Sequence, residues 1–174
     1  MSNAIKYGVM MAVGLIVVSL VLYLAGMSSP ENMTGSIINS ILSYVISIGA
    51  IVMGISAYKK ANAGHLTVGN GISQGLLICL VGGLIMAIYT YIFMTFIAPD
   101  MADQMKEAMM AGASQGGAQN EEAMEMTEKI MGGVANPGFM AGSVLVSKLF
   151  LGLFVGLIAG LIMKNDRPSN PQTL

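Results

Sequence analysis

Lys148 stands where chemistry is least expected. It heads fifteen uncharged, mostly apolar residues, Leu149 to Met163, and Gly152, Gly156 and Gly160 follow it at every fourth position. Four residues turn a helix by about 400°, so the lysine starts about 40° from the glycine face rather than opposite it. Two roles suit it. Its amine can snorkel to the membrane interface along its own apolar stem, or it can hold an anion or another ligand. If hydrocarbon begins near Val144, the amine lies about 6 Å deep at 1.5 Å per residue, and the sequence favours the anchor. A charge held at mid-bilayer costs at least about 2.5–3.5 kcal/mol, so snorkelling or a polar partner is expected.

The remaining chemistry is sparse. There is one histidine, His65, and one cysteine, Cys79, with no HExxH and no cluster of zinc ligands. The glycines of YKKANAGHLTVGNGISQG (Tyr58–Gly75) lack the closing Gly-Lys-Ser/Thr of a phosphate loop and read as a tight turn. Carboxylates gather in one segment, Ala98–Pro137, where nothing apolar would drive a pair's pKa values apart. No enzyme activity and no cofactor are expected. That segment also carries Met101, Met105, Met109, Met110, Met124, Met126 and Met131, and thioethers are soft ligands for copper(I). Yet the chain's 17 methionines are spread through the apolar tracts as well. Adaptable filling of apolar faces is therefore preferred to a metal site.

The elements that must position these residues follow from composition. The 174 residues are 55% hydrophobic and 10% charged, with a mean hydropathy of +0.72, against about 25% charged in a soluble domain. Four tracts reach the roughly 20 residues that a spanning helix needs: about 8–26, 36–58, 72–97 and 139–163. None alternates as a membrane strand would. The expected fold is all-α: a polytopic membrane protein of four transmembrane helices. Two short amphipathic helices lie in the third loop, DMADQMKEAMM and EEAMEMTEKIM, on either side of GASQGGAQN, with Asn136-Pro137 stopping the second. Residues 1–167 form one domain and 168–174 a disordered tail. The first tract is too long for a signal peptide's apolar core, and a methionine stands where LAGM would need a cysteine for lipidation. With four spans, Lys6, Lys59, Lys60, Lys164 and Arg167 share one side against Asp166, while the long loop is acidic. Basic flanks stay cytoplasmic. Both termini are thus expected in the cytoplasm of a bacterium, with the chain in its inner membrane.

Small residues mark the helix faces. Span two has Ser36, Ser40, Ser43, Ser47, Ala50, Gly54 and Ala57 at spacings of three and four, and span one has Gly8, Ala12, Ser19 and Gly26. Span three has Gly71, Gly75, Cys79, Gly83 and Ala87 at every fourth position, and span four has Gly152, Gly156 and Gly160. Such faces let helix backbones approach closely in lipid; a narrow polar path along the serines of span two is the rival reading. Asn39 and Gln74 lie near span ends and are expected at the interface. No Asp or Glu lies in any span, which counts against proton-coupled drug export.

The order of features resembles one known family. SAYKK closes span two, HLTVGNGISQGLL leads into span three, and an acidic, methionine-bearing loop ends in NP before a last span closing in LIMKND. From roughly Ile5 to Lys164 the chain resembles the bacterial membrane family called domain of unknown function 4199. The resemblance implies a fold and a membrane location, and no activity or functional residue. Two functions are expected in turn. The first is a non-catalytic membrane subunit or scaffold, whose partners are the lipid bilayer and other membrane proteins or further copies of itself, without nucleic acid. The alternative is an oligomeric small-solute or ion transporter or channel, in which Lys148 attracts an anion. A polar cavity reaching Lys148 would separate the two.

Overall fold

The computed structural model describes residues 2–29, 32–115, 132–134 and 136–165. Its helices are α1 (Ser2–Leu24), α2 (Met33–Ala61), α3 (Val68–Ile92), α4 (Asp100–Gln115) and α5 (Pro137–Ile162), with a π-helical turn, Phe93–Ile97, extending α3. Four of these are long and apolar enough to cross a membrane: Asn3–Leu24, Met33–Ala61, Val68–Ile97 and Pro137–Ile162. Aliphatic side chains such as Val13, Val17, Val21, Ile41 and Val45 stand exposed on the bundle's outer surface, as hydrocarbon solvent requires. The fold is the all-α, four-span bundle that hydropathy predicts. The first loop helix is α4, while the second expected one, Glu121–Met131, and the tail at 168–174 lie outside the described residues.

Local signals set the helix ends. Asn32 caps α2, its Oδ1 accepting from the Gly35 amide at 2.9 Å, and Thr67 caps α3 by accepting from the Asn70 amide at 3.2 Å. Each satisfies an amide that the helix leaves unpaired at its N-terminus. Asn136-Pro137, expected as a stop, works as a start. Asn136 Oδ1 accepts from the Gly138 amide at 2.8 Å with Pro137 at the first helical position, where a missing N–H costs nothing.

The four spans run up and down, and α3 is the hub, packed on α1, α2 and α5. Its contact with α5 is the most extensive in the bundle, and glycine is the reason. A Cβ on Gly71 would stand 2.6 Å from Gly160 Cα, and one on Gly156 would stand 2.8 Å from the Gly71 carbonyl. Gly152 would meet the Gly75 carbonyl at 2.6 Å. The two backbones therefore touch along about two turns of α5, a closeness that any side chain would open. On the opposite flank of α3, Gly8 of α1 lies against Ile78 and Val81, and Gly54 of α2 against Ile78 and Tyr7. Met11, Ile51, Ile55, Ile78 and Cys79 complete a fully buried core in the half of the bundle nearer the termini.

That end is also tied by hydrogen bonds. Leu66 and Asn165 exchange backbone bonds at 2.9 Å, the Asn165 amide donates to the Gly64 carbonyl at 2.9 Å, and Lys59 Nζ donates to Met163 O at 2.9 Å. Lys59 thereby satisfies a carbonyl at the C-terminus of α5, where a cation is favoured. Gly64, at φ +82°, makes the reversal that brings this loop under α5. By contrast α2 and α5 are sparsely packed on each other, and the bundle opens toward the α1–α2 turn and α4.

Candidate functional site

The opening is a cavity of about 360 Å3 running from the α1–α2 turn (Met27, Ser28) and Met101 down to Leu15 and Lys148. Its wall is mixed. Ser19, Ser36, Asn39, Ser43, Tyr89, Thr90 and Lys148 are polar, while Met86, Phe93, Met94, Met140 and Val144 are apolar. The size and the convergence of polar groups on an aromatic and methionine-lined wall suit a small-molecule site.

Lys148 forms the deep end, and its depth comes from where α5 begins. The helix starts at Pro137 rather than Phe139, which puts Lys148 eleven residues, or three turns, inside it. About 16 Å of helix separates the lysine from Pro137 at 1.5 Å per residue. Its amine crosses to α2 and donates to Ser47 Oγ at 2.9 Å. Ser47 is 0% exposed and is the central residue of α2, fourteen from either end. The stem of Lys148 lies over Gly83, whose Cβ would stand 3.4 Å from that of the lysine. One turn on along α5, Gly152 packs against Cys79. The ammonium has three donors. Among the described residues Ser47 takes one, which leaves two for water or a ligand.

An aromatic wall faces the lysine's cavity on the α1–α3 side. Tyr89 OH donates to Ser19 Oγ at 3.2 Å, and Phe93 stacks on Tyr23 edge-on at 5.0 Å between ring centres and on Tyr89 at 5.5 Å. Phe93 and Met94 begin the π-helical turn, a distortion frequent at functional sites. Met101 packs against this cluster, so one loop methionine of the expected apolar face serves packing. The cluster and the turn were missed in the sequence: FMTFI continues the apolar run of span three and carries no signal for a change of helix type.

The residues expected to pack divide by depth. Ser47, Gly54, Gly75, Gly83, Gly152, Gly156 and Gly160 are all buried between helices. Ser40 is exposed, its hydroxyl returning to Ser36 O at 2.8 Å, and it lines a second, lateral groove with Ser43, Ser147 and Lys148. Asn39 is exposed and lines both spaces. Gln74, expected at the interface, is instead 7% exposed inside the bundle, with no partner for its Oε1 among the described residues. The cap at Thr67 starts α3 four residues before the expected span, which carries Gln74 inward. Among the described residues no group of three His, Cys, Asp or Glu side chains could hold a metal.

Comparison with known families agrees with the resemblance in the sequence: the family described as a protein of unknown function, DUF4199, matches residues 6–165. The chain belongs to the DUF4199 family. The match takes in all but the first four described residues, so the cavity, Lys148 and the glycine seam all lie within the DUF4199 region. No curated protein and no solved structure matches the chain.

Proposed function

We propose that this DUF4199 protein is a non-enzymatic binding or transport unit of the bacterial inner membrane, taking a small anionic group into the cavity that ends at Lys148. The termini are cytoplasmic by the positive-inside pattern, so the cavity opens to the outside. One observation carries the reading: a partly polar cavity reaches an intramembrane lysine that has a serine and, among the described residues, no carboxylate for its partner. Intramembrane ionisable residues of this kind usually mark a ligand or ion path. The cavity stops at the Ser47–Lys148 pair above the core of Ile51, Ile55 and Ile78, so passage onward requires a change in α2–α5 packing.

The test uses two soluble mono-anions, acetate and dimethyl phosphate, with the purified protein in detergent. Each should raise the unfolding temperature of the wild type and not of Lys148→Met. Ligand at a hundred times its dissociation constant stabilises by about 2.7 kcal/mol. Equal shifts in both proteins, or none in either, would contradict the reading. The scaffold reading keeps one supporting observation: Ser36 and Ser40 form a small-residue step on α2 that no helix of the described chain covers.

A further inference from the structure

A groove on the side of the bundle shares part of its wall with the cavity. Asn39, Ser40, Ser43 and Tyr44 of α2 and Ser147, Lys148 and Leu151 of α5 line a groove of about 220 Å3 on the flank of the bundle. Asn39, Ser43 and Lys148 belong to both spaces. The lysine therefore borders both the outer cavity and the lipid-facing groove. The seam lies where α2 and α5 pack sparsely, in contrast to the glycine contact that locks α5 to α3.

This placement needs an occupant. Asn39 and Ser147 are exposed beside a partly buried ammonium, on a flank that hydrocarbon would otherwise cover, and uncompensated polar groups there are costly. A second copy of the chain cannot neutralise the lysine from within its own spans, because those spans contain no Asp or Glu. Water reaching the lysine from the outer cavity would solvate the amine and leave the apolar side of the groove at Tyr44 and Leu151 uncovered. A lipid-type molecule meets both halves of the requirement: its charged head takes the amine and serine hydroxyls, and its chain stays in the bilayer beside Tyr44 and Leu151.

Building on the anion-binding reading above, we propose that the ligand is an acyl-chain amphiphile with one negative charge in its headgroup. It enters from the outer leaflet through the α2–α5 seam and sets its headgroup oxygens on Lys148 Nζ. A single cation calls for a single negative charge, as in a phosphodiester headgroup. Asn39 and Ser43, shared by both spaces, are the neutral donors that would complete the headgroup's hydrogen bonds.

The chain contains no tryptophan, so Tyr44→Trp gives one reporter in the groove. Val17→Trp, on the exposed flank of α1, is the control. The reconstituted proteins are titrated with phosphatidylglycerol or phosphatidylcholine carrying brominated chains, which quench a neighbouring tryptophan. The Tyr44→Trp reporter should prefer phosphatidylglycerol by about ten-fold, the factor that a charge-assisted hydrogen bond provides, and the Val17→Trp reporter should show no preference. Lys148→Met should abolish the preference, and Lys148→Arg should keep it. Equal quenching by the two lipids overturns the proposal; if dimethyl phosphate still stabilises the protein, the anion-binding reading survives that result, and if it does not, both fall. A preference that persists in Lys148→Met, or a tryptophan that neither lipid quenches because a partner helix covers the seam, overturns it as well.

Discussion

At the scale of the residue, Lys148 and Ser47 hold the chemistry. Removing the lysine's charge removes an intramembrane cost of at least about 2.5–3.5 kcal/mol on insertion scales, while the Ser47 bond is a modest return. Interhelical hydrogen bonds in membranes average about 0.6 kcal/mol. Lys148→Met should therefore leave unfolding stability in detergent unchanged or higher, since methionine fills the stem's place over Gly83. Ser47→Ala should lower it by about 0.6 kcal/mol. If Lys148→Met instead destabilised the protein severely, the lysine would be a structural tie and not a ligand group. The type of this residue was legible in the sequence and its Ser47 partner was not. Hydropathy starts the last span near Phe139, whereas the Asn136 cap and Pro137 start the helix, and that local signal lengthens the stretch of helix before Lys148.

At the scale of the element, the glycine seam fixes α5 against α3. Gly156→Leu should force the helices apart, because even a methyl there would meet the Gly71 carbonyl at 2.8 Å. Loss of the folded fraction on mild heating in detergent is expected. Gly49→Ala makes the contrast, since a Cβ there meets nothing within 4 Å. Replacing a glycine inside a helix should stabilise by up to about 1 kcal/mol. Comparable losses in both variants would mean that general helix softness, and not close approach, governs the seam. The spacing of Gly71, Gly75 and Gly83 and of Gly152, Gly156 and Gly160 was readable as two small-residue faces. That they face each other was not, since four spans offered similar faces. The open α2–α5 seam was hidden for a related reason: the serines of α2 continue the small-residue pattern without a facing helix in their outer half.

At the scale of the whole molecule, the two ends of the bundle differ. The end that carries the termini is closed by the Leu66–Asn165 bridge and the Lys59–Met163 bond, with an apolar core above it. The other end holds a cavity leading to mid-span. Hydropathy revealed the number of spans because each helix must satisfy its backbone internally in lipid. It could not reveal this asymmetry, which arises from helix splay rather than from any one segment's composition. The account's central claim, a water-accessible cavity that opens outward and reaches Lys148, is tested most directly by thiol labelling. In a Cys79→Ala background, which removes the only native thiol, Lys148→Cys and Val146→Cys are each treated with a membrane-impermeant methanethiosulfonate added outside intact cells. Val146, exposed on the lipid-facing flank, should stay unlabelled, whereas the thiol at position 148 should react and be protected by prior treatment with a smaller anionic reagent of the same class. A position 148 as inert as position 146, or one that reacts only when the reagent reaches the cytoplasmic side, would contradict the account.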